Sequence, residues 1–263
     1  MPDNDNQNKD PLEKPVEDVK ETAQKVKKTT EKAQETVQRQ QAPPRVRILR
    51  ARLFQVFVLF ALVAFFLLAF YARVNPYLPV DLTITRTFQT YHFLGLPQLM
   101  EFVSWFGFLP QSPVFTFLTI FVIYMLGFRW ESVMVIFATV VSQVLNLLVK
   151  ISIQRPRPAA NLVHVVQQLS SFSFPSGHVM FYTAFYGFLF FLVYSQFEKG
   201  WFRTLAMIVF GLMVLLVGPS RIYLGEHWSS DVLGGYLLGG ITLALAIQVY
   251  QLGKRKGWLS KKS

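Results

Sequence analysis

The sequence predicts an all-α integral membrane protein with six transmembrane helices and its functional loops on the extracytoplasmic side. Three observations carry that prediction. The 263 residues are 52% hydrophobic and 16% aromatic, and their mean hydropathy of +0.35 is too high for an ordinary water-soluble domain. The apolar residues gather into long runs bounded by charged positions. Those runs are rich in Phe, Leu and Val and lack the two-residue alternation of a membrane barrel, which leaves helices as the spanning element.

The six spans follow in order. The first runs from Leu53 to Tyr71, between Arg52 and Arg73, and the second lies within Phe102–Phe128. The third is Ser132–Val149, the fourth Val179–Phe197, the fifth Thr204–Ser220 and the sixth Val232–Gly253. Each is close to the ~20 apolar residues that a helix needs to cross a bilayer. The first begins too late, and is too long, for a cleaved signal peptide, so it reads as a retained signal anchor.

The formal net charge is +11, and its distribution argues against nucleic acid as a partner. Arg45, Arg47, Arg50 and Arg52 precede the first span, Arg129 separates the second and third, and Lys199 and Arg203 separate the fourth and fifth. Lys254, Arg255, Lys256, Lys261 and Lys262 close the chain. If the spans alternate, all of these share one face, which the positive-inside rule makes cytoplasmic, together with both termini. The basic excess is thus a topology signal and a contact for the lipid bilayer. The expected location is a bacterial plasma membrane. The absence of cysteine suits an outward-facing site without fixing the compartment.

Three segments are expected: a polar cytoplasmic tail over 1–44, a six-span domain over 45–253 and a basic tail over 254–263. Met1–Ala42 holds eight basic and nine acidic residues and lacks aromatics, a composition that favours disorder. Against this, Val16, Val19, Ala23, Val26, Thr30, Ala33 and Val37 form a weak heptad seam, compatible with a marginal helix that orders on self-association. Two outer connections are long, Arg73–Pro113 and Lys150–Pro175, as suits a cap over a site. Within the first, Leu94–Phe108 reads as a short amphipathic helix along the interface.

Three stretches place ionisable groups at the outer ends of these spans, where desolvation is costly unless they pair or bind something. Lys150 ends the third span, and Arg157 follows between two prolines that restrict the backbone around it. Arginine forks onto phosphate oxygens and lysine supplies a point charge, although interfacial anchoring is the plain alternative. Pro175-Ser176-Gly177-His178 opens the fourth span, with free N–H groups and the helix dipole favouring an anion. Here the alternative is that Ser176 only caps the helix while His178 stays wet. His227 and Asp231, after Ser220-Arg221, lie four apart, so on one helix they share a face. Asp231 then accepts from Nδ1 of His227 and leaves Nε2 aimed at a substrate, as general base or nucleophile, unless the pair only staples a helix end.

Taken together, Lys150, six residues, Arg157-Pro158, then Pro175-Ser176-Gly177-His178, then Ser220-Arg221, five residues, His227, three residues, Asp231 resembles the signature of the type 2 phosphatidic acid phosphatase superfamily. The resemblance covers roughly Leu53–Tyr250 and fits the membrane branch. It implies a metal-independent phosphatase, without cofactor, acting on a membrane lipid phosphate. By that resemblance His227 attacks phosphorus and becomes phosphohistidine, Asp231 orients it, and His178 protonates the leaving oxygen and then activates water. Lys150, Arg157, Ser176, Gly177 and Arg221 would hold the phosphoryl oxygens, where preorganised positive charge does most to stabilise the transition state.

Other readings of the same residues differ in testable ways. Two His and one Asp match a metal triad, but Lys150, Arg157 and Arg221 would repel a divalent ion and attract an anion. A phosphotransferase would use the same site with another acceptor. A lipid-phosphate carrier would need no oriented nucleophile. Polyprenyl diphosphate, phosphatidylglycerol phosphate and phosphatidic acid all satisfy the anion site. His92 and His164, in outer loops, lack partners at useful spacing and are expected to be solvated or capping. Tyr223, Glu226 and Trp228 beside His227 either shape the pocket or anchor it at the interface.

Overall fold

The computed structural model describes residues 44–258, so the heptad of Val16 to Val37 and the basic Lys261 and Lys262 lie outside the described residues. Two units divide at residue 56, of which the first contributes only 44–56 here, the opening turns of the first helix; the packing below concerns 57–258. The described residues form helices α1 (Pro44–Val74), α2 (Pro79–Gln89), α3 (Leu96–Trp105), α4 (Gln111–Met125), α5 (Arg129–Ile153), α6 (Gly177–Gln196), α7 (Trp201–Tyr223) and α8 (Ser229–Arg255). No strand occurs among them.

Five of these helices are long and apolar enough to cross a membrane: α1 from Arg52 onward, α5, α6, α7 and α8. The second expected span is different. Its apolar stretch is divided, with α3 ending at Trp105 and α4 starting at Gln111, because Gly107 and Pro110 interrupt the helical hydrogen bonding. What remains, α4, has 15 residues, or roughly 22 Å at 1.5 Å per residue, against a ~30 Å hydrocarbon core. α3 is also more than an interfacial helix. Met100, Val103 and Ser104 are buried, with Met100 packed against Tyr223 and Leu224 at the end of α7, while Leu99, Phe102 and Trp105 stay exposed.

α6 is the central element, with 67% of its most apolar window buried against 17% for α1. A helix apolar all round belongs inside a bundle, and α6 buries Phe181, Phe185, Phe188 and Leu192 against α5, α7 and α8. α7 carries Pro219 just before Ser220-Arg221, which removes one N–H and frees a carbonyl a turn earlier. The Tyr236 hydroxyl from α8 inserts at this end: it accepts from Gly218 N (3.1 Å), donates to Val214 O (2.7 Å) and lies 3.3 Å from Leu215 O, the carbonyl that Pro219 frees.

Two sets of long-range bonds fix the ends. At one end, Gln89 of α2 donates to His164 O (2.6 Å) and Tyr223 O (2.9 Å), and Arg86 donates to Leu162 O (3.1 Å). α2 thereby fastens the α5–α6 loop to the end of α7. At the other end, Lys254 pairs with buried Glu131 at 2.6 Å and Trp130 Nε1 donates to Tyr250 O at 3.1 Å, which ties α8 to the start of α5. The expected boundary at residue 253 therefore falls inside α8, which continues to Arg255.

Candidate active site

The C-terminal ends of α5 and α7, the N-terminal ends of α6 and α8, and the 154–176 loop meet at one end of the bundle. There they enclose a cavity of about 690 Å³. Lys150, Arg157, Gly177, His178 and His227 line it on one side, and Phe108, Leu109, Phe117, Ile120 and Phe181 form apolar walls. Sequence positions 150 to 227 thus converge on a single polar corner. Ser176, Arg221 and Asp231 are fully buried behind that corner rather than in the lining.

His227 sits in the connection between α7 and α8, 1% exposed. Its Nε2 lies 3.1 Å from Nη1 of Arg157. A guanidinium only donates, so Nε2 accepts and the ring proton belongs on Nδ1. Burial, reinforced by the charges of Arg157, Arg221 and Lys150, holds the His227 imidazole well below its usual range, so it is neutral at neutral pH. A neutral ring with its lone pair on Nε2 is the form a nucleophile requires, and that lone pair is released for attack when the Arg157 guanidinium turns to a phosphoryl oxygen.

The two cations beside it are held by the loop. Arg157 donates from Nε to Ser171 O (2.7 Å), from Nη1 to Glu226 O (2.6 Å) and from Nη2 to Ser171 Oγ (2.9 Å). Burial lowers its guanidinium to about 10, which leaves it charged under all ordinary conditions. Lys150 donates to Phe172 O at 2.7 Å. The 171–172 backbone and Ser171 therefore set where both cations lie.

His178, in the first turn of α6, has its Nε2 buried without a hydrogen-bond partner and its ring 4.6 Å from Phe108 in edge contact. Ser176 Oγ is likewise buried and unpartnered, and Ser176 does not cap α6 with its side chain. Instead its N–H donates to Asp231 O at 3.0 Å. Asn146, one turn before Lys150, donates to Pro175 O (3.1 Å) and fixes the approach to Gly177. Arg221 is bound to Ser104 Oγ of α3 and paired with Glu226, its guanidinium 5.1 Å from the centre of Phe108.

One expectation needs correction. His227 and Asp231 do not share a helical face, because α8 begins only at Ser229 and His227 precedes its cap. Their Nδ1 to Oδ2 distance is 3.6 Å, too long for a good hydrogen bond. Ser173 fills the gap, with Oγ 3.4 Å from His227 Nδ1 and donating to Asp231 Oδ2 at 2.5 Å. Asp231 also accepts from Trp228 N (2.9 Å), so it caps its own helix.

Several participants escaped the sequence reading. Ser173, Ser171, Asn146 and Ser104 are ordinary residues in sequence and acquire meaning only by position. Glu226 is buried and is the partner of Arg221. Gly107 packs directly on the His178 ring. Arg155, inside the same Arg-Pro-Arg-Pro run as Arg157, and Asp81 of α2 are both buried; a carboxylate in a short helix of an outer loop was the one available signal.

Residues 131–255 match the model of the PAP2 superfamily, a stretch that contains every predicted site residue. The chain is 39% identical over 112 residues to phosphatidylglycerophosphatase B of Bacillus subtilis (strain 168), which is 42% of this chain and 53% of that protein. It is 33% identical over 87 residues to undecaprenyl-diphosphatase of Sulfolobus acidocaldarius, 33% of this chain and 38% of that protein. The chain thus spans about half the length, or less, of these curated relatives. Among solved structures, the transmembrane PAP2 type phosphatidylglycerolphosphate phosphatase from Bacillus subtilis superposes with a TM-score of 0.66 and 26% identity, over 75% of this chain and 98% of that one. LpxE of Aquifex aeolicus shares the fold, with a TM-score of 0.54 and 24% identity over 65% of this chain and 96% of that one. The match to the PAP2 superfamily is thus confined to residues 131–255, and the fold resembles those of the two membrane phosphatase structures. With five helices long and apolar enough to cross a membrane, it is an integral membrane protein.

Proposed function

We propose that this protein is a metal-independent lipid phosphatase that works through a phosphohistidine on His227. Its substrate class is a membrane lipid phosphate or diphosphate of the phosphatidylglycerophosphate or polyprenyl diphosphate type. The observation that carries this reading is the 3.1 Å approach of Arg157 Nη1 to His227 Nε2 in a cavity also lined by Lys150 and His178. A phosphoryl group seated there meets a neutral nucleophile and fixed cations together. The names of the two curated relatives and of the Bacillus subtilis structure support the reaction and the substrate class.

In the first step Nε2 of His227 attacks phosphorus, the bond to the lipid oxygen breaks, and His178 supplies the proton that the leaving oxygen needs. In the second, His178 takes a proton from water, whose oxygen attacks phosphorus and frees His227. Lys150 and Arg157, with the N–H groups at the start of α6, carry the charge that develops on the phosphoryl oxygens, and Arg221, buried behind them, adds its field. Gly177 borders that position, with Ser176 Oγ buried behind it. Asp231, through Ser173, stabilises the proton on Nδ1. The apolar walls from Phe108 to Phe181 receive the lipid chain, which enters sideways past α4, a helix with no buried residue.

The site is extracytoplasmic in this proposal, and six crossings place both termini inside, with short α4 as the second. Arg129, Lys199, Arg203 and Lys254 all lie at the end opposite the site, as the positive-inside rule requires. The deciding experiment measures phosphate release by the purified protein in detergent with excess chelator, on a panel of prenyl and glycerolipid phosphates. Wild type should release phosphate and form an acid-labile phosphoenzyme; His227→Ala should lose at least about 10³-fold in rate, as expected of a nucleophile. Equal release by both proteins, or release only after a divalent ion is restored, would overturn the proposal.

A further inference from the structure

Beneath the cavity lies a buried charged cluster of which the catalytic steps above use only Asp231. Arg155 is 1% exposed, and Asp81 and Asp231 are fully buried. Arg155 Nη1 donates to Asp231 Oδ1 (2.6 Å) and to Ser230 Oγ (2.7 Å). Its Nη2 donates to Asp81 Oδ2 (2.8 Å) and its Nε to Pro76 O (3.1 Å). Asp81 in turn accepts from Ser230 N (2.8 Å) and from the hydroxyls of Ser229 (2.7 Å) and Ser230 (2.7 Å). A carboxylate from α2, 149 positions away from Ser230, thus binds the first turn of α8.

The division between the two arginines is geometric. Arg155 and Arg157 lie two apart in a segment without helix, and Arg157 lines the cavity whereas Arg155 turns into the protein. Arg155 reaches the nucleophile by two routes. Its guanidinium fixes Oδ1 of Asp231, leaving Oδ2 for Ser173 and His227. Its carbonyl accepts from Ser173 N at 2.8 Å and so places the hydroxyl that bridges Asp231 to His227. One guanidinium between two carboxylates leaves a net negative charge, which the positive end of α8 and its N–H donors offset. Groups so fully desolvated and so fully hydrogen-bonded have one favourable arrangement, which suits a rigid mount.

We infer that Arg155 and Asp81 are positioning residues for the reaction: the Asp81–Arg155–Asp231 cluster, with Ser173, sets the orientation of the His227 ring. Neither residue lines the cavity, so neither touches substrate. This rests on the phosphatase reading above. It assigns a function to the first arginine of the Arg-Pro-Arg-Pro run and to a residue of α2, outside the 131–255 domain.

The test uses the full chain in detergent and the lipid phosphate that wild type turns over. Asp81→Asn keeps the size and one of the two acceptor oxygens but removes the charge; kcat should fall about tenfold with KM within twofold, since a small misplacement of a reacting group is costly. Arg155→Met should lose about 100-fold in kcat, and Arg155→Lys should recover part of it. Adding Asp231→Asn to Arg155→Met should cost much less than the product of the single losses, because both act through one carboxylate. Unchanged kcat in a monodisperse Asp81→Asn protein, or losses that multiply, would overturn the inference. If Arg155→Met fails to fold, Asp81→Asn and Arg155→Lys decide. Release that does not depend on His227 would instead sink the phosphatase reading, and the inference with it.

Discussion

At the scale of single residues, the central fact is that His227 is buried, neutral and faced by a guanidinium. The linkage has a definite sign. The folded protein holds His227 below its usual value of 6.5, so the unfolded chain binds the proton first as pH falls. Stability is fully present above pH 6.5 and declines below it, at a rate of about 1.4 kcal/mol per pH unit for one such group until the folded site also protonates. The melting temperature of wild type should therefore drop between pH 7.5 and 5.5, and the drop should be smaller in His227→Gln. An identical pH profile for the two proteins would contradict the assignment. Of the residues named from the sequence, Lys150, Arg157, His178 and His227 were legible because ionisable groups at span ends are conspicuous. Ser173 was not, because a serine in a loop carries no such mark and its value lies in the 3.6 Å gap it bridges.

Among the elements, the break between α3 and α4 matters most to the site. Gly107 lies in that break against His178, and a Cβ there would come 2.8 Å from His178 Nε2 and 2.9 Å from Tyr182 Cε2. The His178 ring would have to move. Gly107→Val should lower kcat by tenfold or more, in the range known for loss of a positioned proton donor, while phosphoenzyme formation suffers less for a substrate with a good leaving group. Equal losses for good and poor leaving groups would argue that His178 is not the acid. The apolar length of Phe102–Phe128 suggested a full span, since hydropathy sees composition and not the backbone interruption at Gly107 and Pro110. The opposite lesson comes from α6, where a continuous Phe- and Tyr-rich run gave the length, while its central burial emerged only from the packing.

For the whole molecule the prediction concerns which side of the membrane each end faces. Because the chain has no cysteine, single cysteines can be placed without background. Gln168→Cys, exposed in the loop near the site, should react with a membrane-impermeant maleimide in intact cells; Lys199→Cys, between α6 and α7, should react only after permeabilisation. The reverse pattern would place the site inside and end the extracytoplasmic proposal.

The sequence by itself determined the helical membrane architecture, the approximate spans and the residue types that meet at the site. Those follow from local properties: the length of apolar runs, the charges that interrupt them and the spacing within each motif. The tertiary structure decided what sequence distance conceals. It placed Ser173 between His227 and Asp231, sent Arg155 and Arg157 to opposite sides of one loop, and brought Asp81 onto the first turn of α8. It also broke the second apolar stretch into two helices. Hydrogen-bond partners separated by 70 or 149 positions leave no local trace, because each side chain acquires its role only when the fold removes it from water and supplies the other half of the pair.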